Sequence, residues 1–188
     1  MASAAENKRL SARDWADAAL DAIARGGIGA VSVEPLARQL GVTKGSFYWH
    51  YANREALLVA ALELWVQEIE TLAAAAREVL EPRQRVLDTF RLASGRHRAH
   101  SAYATLAAHA DHPLVRPALQ QVARRRMDDM TQAYRDLGLD ADTARQRAQL
   151  SFSAYLGFMT LLRHLPHDSM TAEAYEHYFE HVAATLVP

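Results

Sequence analysis

The chain has 188 residues, no cysteine and a net charge of -1. That length allows one large or two small domains, and the missing cysteines exclude a disulfide framework and thiolate metal sites. Half the residues are hydrophobic, which excludes a disordered chain, yet the longest apolar runs fall short of a membrane span. Met1–Leu10 lacks the apolar core of a secretory leader, so the expectation is a cytoplasmic protein with no membrane contact. Only 8 glycines and 6 prolines interrupt an alanine- and leucine-rich sequence, a balance that favours helices. The first 55 residues hold a slight excess of basic side chains, too weak to argue for nucleic acid by itself.

The pattern predicts about nine helices and no strand. Ser11 caps a first helix that ends at Arg25, before Gly26-Gly27; Trp15, Ala19, Ala22 and Ile23 lie on one face. Ser32 opens a second, short helix with the stripe Val33, Leu36, Ala37 and Leu40, and Gly41 stops it. Thr43 opens a third, carrying Phe47, Tyr48 and Tyr51. Asn53 caps a long fourth helix from Arg54 to about Leu80. After Pro82 a fifth shows Val86, Phe90, Ala93 and His97 on one face. A sixth holds Tyr103, Leu106 and Ala110, and His112-Pro113 breaks it. Pro117 sets the regular start of the seventh near Arg116. Its stripe is Leu119, Val122, Met127, Met130, Tyr134 and Leu137, and Gly138 ends it. Asp140 or Asp142 caps an eighth helix that reaches His164, and Thr171 opens a ninth.

The informative stretch is Val33–Tyr51, VEPLARQLGVTKGSFYWHY. Two short helices joined by a glycine turn read as a helix-turn-helix. Ala37 is small where the helices cross, Gly41 permits the turn, and Val42 plugs the core beneath it. Thr43, Lys44, Gly45 and Ser46 cluster at the start of the second helix. Small residues there let the backbone approach a major groove, and the N–H groups at the helix start favour phosphate. Lys44 brings charge, while Thr43 and Ser46 bring hydroxyls for base edges or phosphates.

From Leu36 to Leu58 the chain reads LARQLGVTKGSFYWHYANREALL, which closely resembles the N-terminal signature of the TetR family of transcriptional regulators. The resemblance implies that Lys44, Tyr48 and His50 contact DNA phosphates or bases, and that Arg54 touches the DNA backbone. It implies that Phe47 and Tyr51 are core. Trp49 is open between packing and DNA contact. The implied architecture is an all-α homodimer, with a three-helix DNA-binding domain over residues 1–55 and an effector-binding and dimerisation domain over 56–188.

Trp65, Ile69, Phe90, His97, Tyr103, Leu106, Met127, Met130, Tyr134 and Phe158 are the candidate wall of an effector cavity. Few fixed charges stand among them, so the expected effector is small and mostly apolar. Each of these residues alone reads more readily as filled core than as a ligand contact. The eighth helix is apolar on two faces, Ala148, Phe152, Tyr155 and Met159 on one, Leu150, Ala154, Phe158 and Leu161 on the other. A helix buried on one side needs only one stripe. The resemblance implies that the last two helices pair across a two-fold axis, which makes Phe152, Tyr155, Met159, Tyr178, Phe179 and Val182 the candidate dimer contacts; the alternative is that the eighth helix is only a central core helix.

His97/His100 and His109/His112 have i, i+3 spacing, but no acidic residue stands with them at a known zinc spacing, and the sequence assigns no metal. It holds no nucleophile–base motif, P-loop or dinucleotide fingerprint, so neither an enzyme nor a cofactor is expected. The functional expectation is a ligand-responsive regulator, most simply a repressor, that binds a near-palindromic operator as a dimer and is released by its effector. A small-molecule-binding protein without DNA function, and an all-α enzyme using the histidines of the 97–112 stretch, are the alternatives.

Overall fold

The computed structural model describes residues 10–94, 98–164 and 171–187. Among them stand nine α-helices, one short 3-10 turn and no strand. The helices are α1 (Ala12–Gly26), α2 (Val33–Gln39), α3 (Lys44–Phe47), α4 (Arg54–Arg77), α5 (Pro82–Ser94), α6 (Arg98–Ala107), α7 (Val115–Asp136), α8 (Ala141–His164) and α9 (Ala172–Leu186). The 3-10 turn, Ile28–Ala30, links α1 to α2.

Local chemistry sets most helix starts. At α1 the Ser11 hydroxyl accepts from the Asp14 N–H, and the Asp14 carboxylate accepts from the Ser11 N–H at 2.6 Å. This reciprocal pair satisfies two donors that the first turn leaves free. Asn53 accepts from the Ala56 N–H at 2.8 Å, Asp140 from the N–H groups of Asp142 and Thr143 at 3.0 Å, and Thr171 from Ala174 at 3.1 Å. Ser32 and Thr43 occupy the expected cap positions, but their side chains accept no capping bond. The third helix is also shorter than expected. It ends at Phe47, so Tyr48 and Tyr51 lie on the turns that follow.

Two apolar cores hold the helices together. The first joins Trp15, Leu20 and Ile23 of α1, Phe47 of α3, Leu57, Leu58 and Trp65 of α4, Leu106 of α6 and Val122 of α7. It therefore runs across the expected chain boundary at residue 55, with α1 packed against both α4 and α6. The second core gathers Val86 of α5, Met130 and Tyr134 of α7, Ala148 and Phe158 of α8, and Phe179 and Leu186 of α9. Polar bonds lock each core. The Trp65 indole donates to the Ala99 carbonyl at 2.8 Å, and the hydroxyls of Tyr134 and Ser151 share a buried bond at 2.8 Å.

The exit from α1 depends on glycine. Gly27 has φ 71° and ψ -171°, a region that side-chain-bearing residues essentially do not occupy. A Cβ there would also stand 3.0 Å from Cε1 of His109, in the turn after α6. Gly27→Ala should lower stability by about 1–3 kcal/mol, read from urea unfolding. An unchanged midpoint would contradict the strained geometry.

Candidate nucleic-acid interface and effector cavity

The turn at Gly41 (φ 70°) brings α3 across α2, with the Val42 N–H donating to the Ala37 carbonyl at 2.9 Å. Phe47 then anchors the segment. It is fully buried, meets Trp15 edge-on at 5.3 Å and stacks on Tyr51 at 5.9 Å. The Tyr51 hydroxyl donates to the Ala12 carbonyl at 2.7 Å, which pins the segment to the start of α1.

This anchoring leaves a distinctive outer surface. Thr43, Lys44 and Gly45 are exposed, and Ser46 and His50 are half-buried. Tyr48 is 58% exposed and Trp49 87%. Trp49 thus falls on the outward side of the two readings the sequence left open. A tryptophan and a tyrosine standing in water beside a lysine form an amphipathic patch suited to a partner. Lys44 Nζ contacts the Glu34 carboxylate at 2.8 Å. That pairing raises the lysine's pKa and lowers the glutamate's, through their hydrogen bond and their opposite charges. Because α3 is a single turn, aligned peptide dipoles add little there, and attraction for phosphate rests on side chains.

Arg54 departs from its expected place at the DNA backbone. It is half-buried and turned inward, donating to the carbonyls of Val31 at 2.7 Å and Ile28 at 2.5 Å. These bonds satisfy the end of the 3-10 turn and clamp α4 to the α1–α2 connection. The guanidinium is spent on the fold because its two acceptors lie in the protein.

The head is gripped from α6 as well. Arg98, at the start of α6, donates to Asp17 at 2.6 Å, to Asp21 at 2.9 Å and to Glu68. Its pKa is raised, chiefly by the bond to Glu68. Farther along α6, the Thr105 hydroxyl donates to the Ile23 carbonyl at 2.8 Å.

The expected effector wall divides. Trp65, Tyr103 and Leu106 are buried in the first core. Met130, Tyr134 and Phe158 are buried in the second, with Met127 packed against it. Large side chains fill each other's space within each set, so the stripes do not face one shared hollow. The side chains of Phe90, Ala93 and His97 lie outside the described residues. Ile69 does line an opening, a cavity of about 830 Å3 between α4 and α7 that also touches Val66, Ala73, Val122 and Arg126. Arg126 adds a fixed charge to a wall expected to hold few. The signal was in the sequence, four residues after Val122 and four before Met130 on the inward stripe of α7.

Several candidate dimer contacts are used inside the protomer. Phe179 and Val182 are buried in the second core, Tyr178 stacks on Phe158 at 4.0 Å, and Tyr155 is buried with its hydroxyl 2.7 Å from Nδ1 of His100. Phe152 and Met159 are half-buried, and Phe152 touches both cores. Among the described side chains, the large apolar residues that α8 leaves exposed are Leu150 and Leu161. Two of the remaining histidines are engaged locally, His109 Nδ1 with the Thr105 carbonyl and His112 Nδ1 with the Leu114 N–H. No helix of the described residues is long and apolar enough to cross a membrane.

Residues 16–61 match the family described as bacterial regulatory proteins, tetR family. The N-terminal segment is therefore similar to that of the TetR family. The described residues have an all-α fold. Solved structures share that fold over nearly the whole chain. A TetR-family regulator from Agrobacterium tumefaciens superposes with a TM-score of 0.79 at 18% identity, covering 94% of this chain and 97% of its own. A regulator from Saccharomonospora viridis in complex with choline gives 0.76 at 17%, covering 92% and 93%. FadR from Bacillus subtilis in complex with stearoyl-CoA gives 0.66 at 21%, covering 93% and 97%.

The geometry separates two kinds of arginine and lysine variant. Arg54→Ala should lower stability by about 1–3 kcal/mol, because two carbonyls lose their charged donor. Lys44→Ala should leave the unfolding midpoint unchanged, since an exposed ion pair contributes little. Equal midpoints for the two variants would contradict the inward placement of Arg54.

Proposed function

We propose that this chain is a regulator of the TetR family, a ligand-responsive repressor that binds a near-palindromic operator as a homodimer in the cytoplasm. The observation that carries this reading is the outer surface of residues 43–50. There Lys44, Tyr48 and Trp49 project from a turn whose core residue, Phe47, is fully buried. Lys44, Tyr48 and His50 contact phosphates or base edges, Thr43 and Ser46 add hydroxyls, and Gly45 admits the backbone to the groove. Trp49 packs its ring against the sugar–phosphate wall. Residues 1–55 serve as the reading head and 56–188 as the effector and dimerisation body. The protein acts by binding and catalyses no reaction.

Dimerisation uses the outer face of α8. Leu150, Ala154, Gly157 and Leu161 recur at helical spacing, both leucines are exposed, and the space around Gly157 is open. A second helix can approach closely along such a stripe. Phe152, Met159 and Tyr178 flank it, whereas Tyr155, Phe179 and Val182 support it from within.

The effector enters between α4 and α7. The neighbours that hold choline and stearoyl-CoA show that this fold accommodates small ligands in other chains. Binding there acts on the head through α4 directly and through α6, whose Arg98 grips Asp17 and Asp21 of α1. The effector can shift the DNA-binding equilibrium only by its differential affinity for the two states.

Three measurements test the reading. With an operator selected from random DNA, Lys44→Ala and Tyr48→Ala should weaken binding while far-UV helicity stays intact. Affinity should fall steeply with salt, as neutralised phosphates release counterions; salt-independent binding would contradict these contacts. Leu150→Glu with Leu161→Glu should give folded monomers in sedimentation and abolish tight operator binding. A wild-type monomer at micromolar concentration would sink the dimer. Arg98→Met should retain both DNA and effector binding but lose most of their coupling, which for such systems is about 5–150-fold. Unchanged effector-driven release would remove Arg98 from the linkage.

A further inference from the structure

The α4–α7 cavity has an unbalanced charge in its lining. On its flank four side chains close a neutral network. Glu70 contacts Arg77 at 2.5 Å and Arg125 at 3.4 Å, and Asp129 contacts the same two arginines at 3.3 and 3.7 Å. At the rim, exposed Arg124 and Asp128 offset each other. Arg126 is left over. It lines the cavity, is half-buried, and makes no hydrogen bond or ion pair with any described residue. It also borders a small void of about 20 Å3 beside Met130 and Ala133.

Its surroundings do not compensate the charge. Burial works against the cationic form, while Tyr155, Asp129, Tyr103 and Glu70 act electrostatically in its favour. Burial keeps Tyr103 protonated to higher pH than usual, and the two acids stand against Arg77 and Arg125, with Asp129 Oδ2 making no hydrogen bond. An unpaired guanidinium in such a place costs folding free energy that an incoming anion recovers.

We propose that this cavity binds an organic monocarboxylate, with its acid group on Arg126 and its apolar body along Val66, Ile69, Ala73 and Val122. The guanidinium fork matches a carboxylate in a two-bond arrangement. One surplus positive charge matches one negative charge. A phosphomonoester carries about -1.5 to -2 near neutral pH and would bring an excess that this site does not neutralise. The volume, about 830 Å3, suits a ligand of ordinary metabolite size or a medium-length chain.

The inference names the effector class within the regulatory reading above and rests on it only for the consequence, not for the binding. The test uses the full-length protein and a homologous series of straight-chain carboxylates, each paired with its primary amide and with the alkyl phosphate and alkyl trimethylammonium of the same length. Thermal shift and calorimetry should show carboxylate binding at least about tenfold tighter than the amide, the usual discrimination of a charge-assisted pair. The bound carboxyl, followed by 13C chemical shift, should titrate at lower pH than the free acid. Arg126→Gln should lose that tenfold advantage while keeping the weaker amide affinity. The comparison of carboxylate with amide on the unmodified protein decides the matter even if the variant fails to fold. Equal affinity for acid and amide, binding only of phosphates or cations, or no stabilisation by any carboxylate at millimolar concentration would overturn the assignment. Carboxylate binding that leaves the operator complex intact would sink the regulatory reading alone. Operator release by a neutral or cationic ligand, with no carboxylate affinity, would sink the Arg126 site alone.

Discussion

The grip of α6 on α1 is the contact through which the head and the body of this molecule move as one. Arg98 holds two carboxylates of α1 and one of α4 at a single guanidinium. About two turns along, Thr105 bonds the carbonyl of Ile23 near the end of α1. Apolar packing fills the space between, with Ala99, Ala102 and Leu106 of α6 in the same core as Trp15, Leu20 and Ile23 of α1. The helix-turn-helix is therefore seated on the body along the whole of α1. A displacement of α6 by a fraction of a turn must reorient α1, since close-packed interfaces switch between arrangements rather than deform smoothly.

The same logic explains why α4 is long and only mildly amphipathic. Its first turns complete the head, with Leu57 and Leu58 under Phe47's core, and its middle meets α6 through Trp65. Its later turns wall the cavity opposite α7. Each stretch faces a different neighbour, so the apolar stripe winds around the helix instead of keeping to one side. A single rigid rod thus touches the reading surface at one end and the ligand space at the other.

Helix boundaries were legible because they are written in local chemistry: Ser11 with Asp14, Asn53, Pro82, Gly138, Asp140 and Thr171 act within a turn of themselves. The recognition segment was legible for a similar reason, as Gly41, Phe47 and Tyr51 do their work inside twenty residues. What the sequence hid was long-range. Periodicity identifies an inward face without naming what it meets, so Trp65 and Tyr134 read as one wall although they belong to separate cores. Phe179 and Val182 read as dimer contacts because self-burial and partner-burial demand the same residue types. Arg54 read as a DNA contact because its carbonyl acceptors at Ile28 and Val31 carry no side-chain signature at all. Arg126 was the exception, visible as a break in an apolar stripe.

The ion pair between Lys44 and Glu34 has a consequence for how the reading surface meets a polyanion. In the proposed complex Lys44 comes to DNA already holding a carboxylate, so a phosphate that engages it would displace Glu34 rather than meet a bare cation. The displaced glutamate is left facing the duplex, and its repulsion offsets part of the lysine's attraction. Protonating Glu34 removes both the competitor and the repulsion. The lysine's hydrogen bond and charge hold the Glu34 carboxyl below the ordinary range. In the proposed complex that hold is lost, so formation of the complex would take up protons as the pH falls into the carboxylate range.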